Sequence, residues 1–154
     1  MSAVFASSSR LRAMQEIDLP IIIEIEQAAY PFPWTLQIFR DCLRVGYKAR
    51  VLERDDDIIG YGIMSTGAQE AHILNLCIHP NLQRCGYGQR LLNHLLALAR
   101  QQNTQTVFLE VRPSNPAAIH LYLKTGFNQI GMRKGYYPNG KQGREDAVIM
   151  AKEL

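Results

Sequence analysis

The stretch that most constrains the fold runs from residue 71 to 111, AHILNLCIHPNLQRCGYGQRLLNHLLALARQQNTQTVFLEV. It opens on an apolar run of strand length, turns through two glycines, and continues as a leucine-striped helix. Over residues 88–101, Leu91, Leu92, Leu95, Leu98 and Ala99 share one face, while Arg90, Asn93, His94 and Gln101 point away. TVFLEV is then a second strand. A strand, a helix of this length and another strand make a βαβ crossover, with the two strands parallel and the connection right-handed. Any fold for this chain must contain that unit.

The flanking segments supply the remaining layers. DLPIIIEIEQAAY predicts a helix capped near Asp18 with Pro20 in its first turn. Pro31 and Pro33 end it. Thr35 then caps a second helix, LQIFRDCLRV, which stops at Gly46. KARVLER and IIGYGIMST form a hairpin about DDD, and GAQE turns the chain into AHILNLCI as the third strand of a meander. After TVFLEV, SNPAAIHLYLKTG is a helix with Asn115 as cap, Pro116 at its first position and Gly126 at its end. FNQIGMRKGYY and DAVIMAKEL close the chain as a hairpin around PNGKQG. The expected class is α/β in the α+β sense: a mixed, mostly antiparallel sheet with a parallel βαβ core and flanking helices. Residues 11–154 are expected to form one domain behind a flexible N-terminus of about ten residues.

Charge and cysteine usage narrow the function classes. Seventeen basic and 14 acidic residues give a net charge of +3, spread along the chain. No Lys/Arg block suggests a nucleic-acid footprint. Cys42, Cys77 and Cys85 are odd in number and widely spaced, so no disulfide framework is implied and reduced thiols in the cytoplasm are expected. Cys77, His79 and Cys85 lack a fourth ligand and paired spacing, so no metal is expected. No segment has the length of a membrane span.

The glycine turn points to a ligand. At a helix N-terminus the first backbone N–H groups are unpaired and the dipole favours an anion. Gly86 and Gly88 let the backbone approach it closely, and Arg84 adds a guanidinium. A plain turn into a helix is the competing account. The P-loop ending Gly-Lys-Ser/Thr is absent. A dinucleotide fingerprint would need a third glycine where Leu91 stands, although Glu110 falls near its acidic position, so that chemistry is half-matched. What remains is Gln-x-x-Gly-x-Gly, Gln83 to Gly88.

That pattern on a strand-to-helix turn resembles the GNAT family of acetyl-CoA-dependent N-acetyltransferases. FPWT, ILNLCIHPNLQRCGYG, FLEVRPSNPAAIHLYLKTGF and YYPNGKQGREDAVIMAKEL look like its bacterial ribosomal-protein alanine N-acetyltransferase branch (RimI), over roughly Arg12 to Leu154. The glycine loop marks the superfamily; LEVRPSN, YYP and GREDA are more branch-specific. The resemblance implies a GNAT fold with acetyl-CoA as co-substrate. Its pantetheine arm would pair with backbone at Leu76, Cys77 and Ile78. The pyrophosphate would lie on Arg84, Cys85, Gly86, Tyr87, Gly88 and Gln89, with Asn115 as a further cofactor contact. Many relatives carry Arg or Lys where this chain has Cys85, so one positive charge is missing there.

Acetyl transfer from a thioester to an amine needs a neutral amine, donors for the developing oxyanion and a proton for the departing sulfur. On TVFLEV, Val107, Leu109 and Val111 share one face and Phe108 and Glu110 the other. Read from spacing, Glu110 is either a base or one half of an ion pair with Arg112 or Arg133. Tyr122, two turns beyond Asn115, is equally a core tyrosine on a stripe with Ala118 and Leu121. The resemblance implies Glu110 as general base and Tyr122 as general acid. His72, His79, His94 and His120 are rival bases; His94 and His120 are expected to face solvent, and His79 precedes the loop. PFPW (31–34) and RKGYY (133–137) are candidate walls of a peptide groove, or core and rim. The implied acceptor is a protein N-terminus, that of the N-terminal alanine of small ribosomal subunit protein eighteen, with a monomer favoured. A lysine or small-amine acetyltransferase and a non-catalytic acyl-CoA or dinucleotide-binding module are the alternatives.

Overall fold

The computed structural model describes residues 9–154. In chain order its elements are β1 (Ser9–Ala13), α1 (Leu19–Ala29), α2 (Leu36–Arg44), β2 (Lys48–Arg54), β3 (Asp57–Gly67), β4 (Glu70–Ile78), α3 (Tyr87–Gln101), β5 (Thr106–Val111), α4 (Pro116–Lys124), β6 (Asn128–Pro138) and β7 (Arg144–Glu153). Short 3-10 turns lie at Glu16–Asp18, Pro80–Leu82 and Gly140–Gln142. The strands form one sheet in the order β1-β2-β3-β4-β5-β7-β6. Only β4 and β5 pair in parallel, across the predicted crossover; every other neighbouring pair is antiparallel.

Strand β1 was not anticipated. It begins at Ser9, inside the ten-residue terminus expected to be flexible; the earlier residues of that segment lie outside those described. It pairs with β2 along its whole length, Leu11 packs on the core, and its two arginines add ion pairs. Arg10 Nε donates to Glu53 Oε1 at 2.8 Å, and Arg12 donates to both oxygens of Asp18 at 2.8 and 2.9 Å. Asp18 is consequently not the side-chain cap of α1. Its carboxylate accepts from Arg12 and from the Gln15 N–H at 2.8 Å, closing the preceding 3-10 turn. Thr35 does cap α2, its hydroxyl accepting from the Ile38 N–H at 3.3 Å.

The two faces of the sheet carry different helices. On one, α1 and α2 bury Leu19, Ile22, Ile25 and Phe39 against Val51, Tyr61, Ile63 and Cys77. On the other, α3 buries Leu92, Leu95, Leu96 and Ala99 against Met64, Ile73, Val107 and Leu109, with Tyr122 of α4 in the same cluster. Helix α3 crosses so close to β3 that a Cβ at Gly62 would stand 2.9 Å from Leu95 Cδ1. His94, expected to face solvent, is half-buried on this helix, and its burial lowers its pKa. A turn of α3 that passes over the sheet leaves little water for that ring.

Two irregularities shape the centre of the sheet. Strand β3 pairs with β4 out of step at Ile63/Met64, whose partners are Asn75 and Ile73, so Leu74 is the extra residue of a bulge. Strand β4 pairs with β5 only from Glu70↔Thr106 to Ile73↔Leu109. Beyond that point β4 runs on to Ile78 and β5 to Val111 with no pairing between them, so the parallel strands part.

Candidate active site

The parting strands leave a row of backbone groups on β4 without a strand beside them. The His79 N–H donates to Ile59 O at 2.8 Å, toward β3. By the alternation of a strand, Cys77 faces β3 as well, and Leu76 and Ile78 turn toward the opening. Their carbonyls are met by side chains: Tyr30 Oη donates to Leu76 O at 3.0 Å and Gln83 Nε2 to Ile78 O at 3.2 Å. An amide-bearing arm fits here as a substitute strand.

The chain then enters α3 through the glycine turn. Arg84 and Gly86 both take left-handed backbone, with φ of 64° and 87°. Gly86 is the N-cap of α3 and offers no side-chain acceptor, and the first intrahelical bond is Arg90 N–H to Gly86 O at 3.1 Å. The N–H groups of Gly88 and Gln89 therefore lack helical acceptors. Left-handed residues beside a helix N-terminus form an anion-binding concavity. Arg84 is exposed and Cys85 half-buried at its rim, its thiol turned to Gln83 O. The buried Tyr87 ring lies inward, where Arg54 Nη1 reaches its hydroxyl at 3.4 Å. Gln89 spends its side chain on Asn93 and Thr125, binding α3 to the end of α4. These residues suit the pyrophosphate of a coenzyme, held by backbone more than by side chains.

Glu110 lies past the last β4–β5 pair, at the end of β5. Its side chain is 8% exposed, with Oε2 on His72 Nε2 and Oε1 3.8 Å from Arg133 Nε. His72 stands on the neighbouring strand opposite Phe108, which shares the Glu110 face. Of the rival bases, His72 is thus a direct partner of the carboxylate. Arg112, the other proposed ion-pair partner, turns away to Glu145 at 3.0 Å.

Tyr122 is 7% exposed and packs edge-on to Phe127, with ring centroids 5.7 Å apart. Burial raises its pKa, with Tyr137 and Cys77 as its electrostatic neighbours, so the phenol keeps its proton. Burial also raises the pKa of Tyr137, with Tyr136 and Glu110 among its electrostatic neighbours. Cys77 has its pKa pushed up to about 11 by burial, so it stays a thiol rather than a nucleophile. Asn115 Oδ1 accepts from the Ala118 N–H at 3.2 Å and is the cap of α4. His120 is exposed and His79 half-buried, the latter accepting from Asn81 N–H through Nδ1.

The two suspected groove walls both lie against Arg112. The Arg112 guanidinium lies 4.3 Å from the centroid of Tyr137 and 5.3 Å from that of Phe32. It also donates to Pro138 O at 3.1 Å. Glu145 completes the clasp by accepting from the N–H and hydroxyl of Ser114, both at 3.0 Å. Two residues of this region escaped the reading of the sequence, Glu26 and Tyr30. Glu26 follows Ile22 and Ile25 on the core face of α1, and a carboxylate in an apolar stripe was the available signal. Tyr30, just past the helix, showed no pattern that marks a ligand-facing hydroxyl. Among the described residues, no cluster of three His, Cys, Asp or Glu side chains is poised to hold a metal, and no helix is long and apolar enough to cross a membrane.

Comparison with known proteins agrees with this geometry. Residues 14–127 match the Acetyltransferase (GNAT) family. A [ribosomal protein bS18]-alanine N-acetyltransferase of Haemophilus influenzae is 38% identical over 143 residues, 93% of this chain and 97% of that protein. The Salmonella typhimurium protein of the same name is 41% identical over 134 residues, 87% of this chain and 90% of that one. The crystal structure of the ribosomal-protein-S18-alanine N-acetyltransferase from Escherichia coli superposes with a TM-score of 0.88 at 36% identity, covering 95% of this chain and 94% of that one. With the parted strands, the left-handed turn into α3 and these relatives in agreement, the chain belongs to the GNAT family of acetyltransferases.

Proposed function

We propose that this protein transfers the acetyl group of acetyl-CoA to the α-amine of a protein N-terminus, the acceptor being the N-terminal alanine of ribosomal protein bS18 on which its relatives are named to act. The observation that carries the reading is the place of Glu110, at the end of β5 just past the last β4–β5 pair, with its carboxylate held between His72 and Arg133. The N–H groups of Leu76 and Ile78 on β4 and of Gly88 and Gln89 on α3 hold the coenzyme, with Arg84 at the rim. Acetyl-CoA supplies an activated acetyl group on a sulfur that needs a proton when it leaves.

The chain's own groups move the protons. A Glu110 carboxylate oxygen accepts the proton of the incoming ammonium, directly or through one water. His72 and Arg133 keep that carboxylate in place. The Tyr122 hydroxyl donates to the departing sulfur; burial ensures that it has a proton to give. An α-amine of pKa about 8 reaches its neutral form more readily at pH 7 than a lysine near 10.4, which suits a carboxylate base. Phe32 and Trp34 on one side and Tyr136 and Tyr137 on the other wall the acceptor. A ribosomal acceptor places the protein in the cytoplasm.

Intact-mass spectrometry tests this with two peptides and acetyl-CoA. One carries the free alanine terminus of bS18; the other has a blocked terminus and an internal lysine. Gain of one acetyl group on the first alone, lost with Glu110→Gln, is the expected result. Gain on the lysine peptide alone overturns the acceptor, and an unimpaired Glu110→Gln enzyme overturns the base.

A further inference from the structure

Glu26, in the last turn of α1, is 2% exposed and takes no part in the proton transfers above. Its three hydrogen-bond partners are all neutral donors. Oε2 accepts from the Trp34 N–H at 2.9 Å. Oε1 accepts from Tyr61 Oη at 2.5 Å and from Asn75 Nδ2 at 3.0 Å. Burial raises the Tyr61 pKa, so that hydroxyl remains a donor. Among the described residues no Lys, Arg or His forms an ion pair with Glu26.

A carboxylate buried without a cation is expensive, and a well-packed apolar side chain would fill its space at lower cost. What the carboxylate does that a leucine cannot is join three segments. Trp34 belongs to the Pro31–Phe32–Pro33–Trp34 stretch, where the prolines leave only two backbone N–H groups; Glu26 holds one of them. Tyr61 is on β3. Asn75 is the β4 residue just after the bulge at Leu74, at the start of the half of that strand that has parted from β5. The backbone adds a second link, since the Tyr30 N–H donates to Glu26 O at 3.0 Å and Tyr30 Oη donates to Leu76 O.

We propose that Glu26 is a positioning residue that fixes the Phe32–Trp34 wall of the acceptor groove in register with the β4 strand along which the acetyl group is presented. The proposal rests on reading that wall as the acceptor side. It separates two binding events: the coenzyme is held by β4 backbone and the α3 N-terminus, which keep their own supports, whereas the acceptor needs the wall at the right distance from β4.

Glu26→Gln is the informative change. A glutamine has one acceptor and one donor end, so it must turn an –NH2 toward either the Trp34 N–H or the Tyr61 and Asn75 donors, and one link breaks. The expected result is a rise of about tenfold or more in acceptor KM with kcat little changed, the signature of lost acceptor binding. Calorimetry should give an unchanged acetyl-CoA Kd. Asp18→Asn, which removes another buried carboxylate at the opposite end of α1, should lower Tm without moving acceptor KM. Glu26→Asp keeps the charge but is too short to reach all three donors; it is read the same way if the glutamine variant does not fold. Wild-type acceptor KM in a folded Glu26 variant overturns the proposal, as does an equal KM rise in Asp18→Asn. The acceptor used is whichever amine the wild-type protein acetylates, so a lysine-specific enzyme would refute the α-amine reading and leave this test intact.

Discussion

Replacing Gly86 by alanine isolates what the glycine turn contributes. Among the described residues an added Cβ would meet no atom within 4 Å, so crowding by them plays no part. The cost is conformational: φ is 87°, and an L-residue in left-handed backbone loses about 1–2 kcal/mol. The free protein can relieve this by letting the turn relax, but the concavity must then be rebuilt when the coenzyme binds. Carried into affinity, the penalty weakens acetyl-CoA binding about 5- to 30-fold. Gly86→Pro, locked near φ of about −65°, cannot regain the geometry and should not bind measurably. Isothermal titration with acetyl-CoA reads both variants, with thermal unfolding to show that each is folded. Wild-type affinity in the folded proline variant would refute the assignment of the coenzyme to this turn.

Two further outcomes are specific. Tyr122→Phe should retain acetyl-CoA binding while turnover falls on the order of 100-fold or more, because the ring packing stays and only the acidic proton is lost; single-turnover kinetics beside calorimetry checks this. Acid unfolding should begin at the β1 end. The hydrogen bond from Arg12 holds the Asp18 carboxyl below its usual range, and that from Arg10 does the same for Glu53. Both folded values lie below the unfolded ones, so this stability is fully present above the unfolded carboxylate range near pH 4 and is lost as pH falls through the folded values. Denaturant titrations between neutral and acid pH should therefore show a shallower acid loss in Asp18→Asn than in the wild-type protein.

The crossover, both early helices and the meander were legible because each rests on local periodicity and turn chemistry. Strand β1 was not, because SRLRA is short, with Leu11 as its one large apolar residue, and the partners of its arginines, Asp18 and Glu53, lie elsewhere in the chain. The closing hairpin was recognised, but its insertion with β7 beside β5 and β6 at the edge depends on long-range pairing that no local pattern encodes. In the site, Glu110 and Tyr122 stood out through motif resemblance. Their surroundings did not. That His72 meets Glu110 follows from the parallel register of β4 and β5, and that Arg112 serves Glu145 instead follows from where β7 returns. Glu26 was hidden for a different reason. Its three donors come from separate segments, and a single helix shows only an acid on the wrong face.

The placement of β7 has a consequence for the order of assembly. It follows β6 in the chain, yet it lies between β5 and β6, and among the described residues β6 has no other strand neighbour. As the chain grows from its N-terminus, the strands of the proposed coenzyme site are all present before β7 emerges, whereas Tyr136 and Tyr137 sit on a strand that still awaits β7. The Tyr136–Tyr137 side of the proposed acceptor groove therefore takes shape after the strands of the proposed coenzyme site, and a nascent chain lacking β7 has the makings of that site but no completed groove.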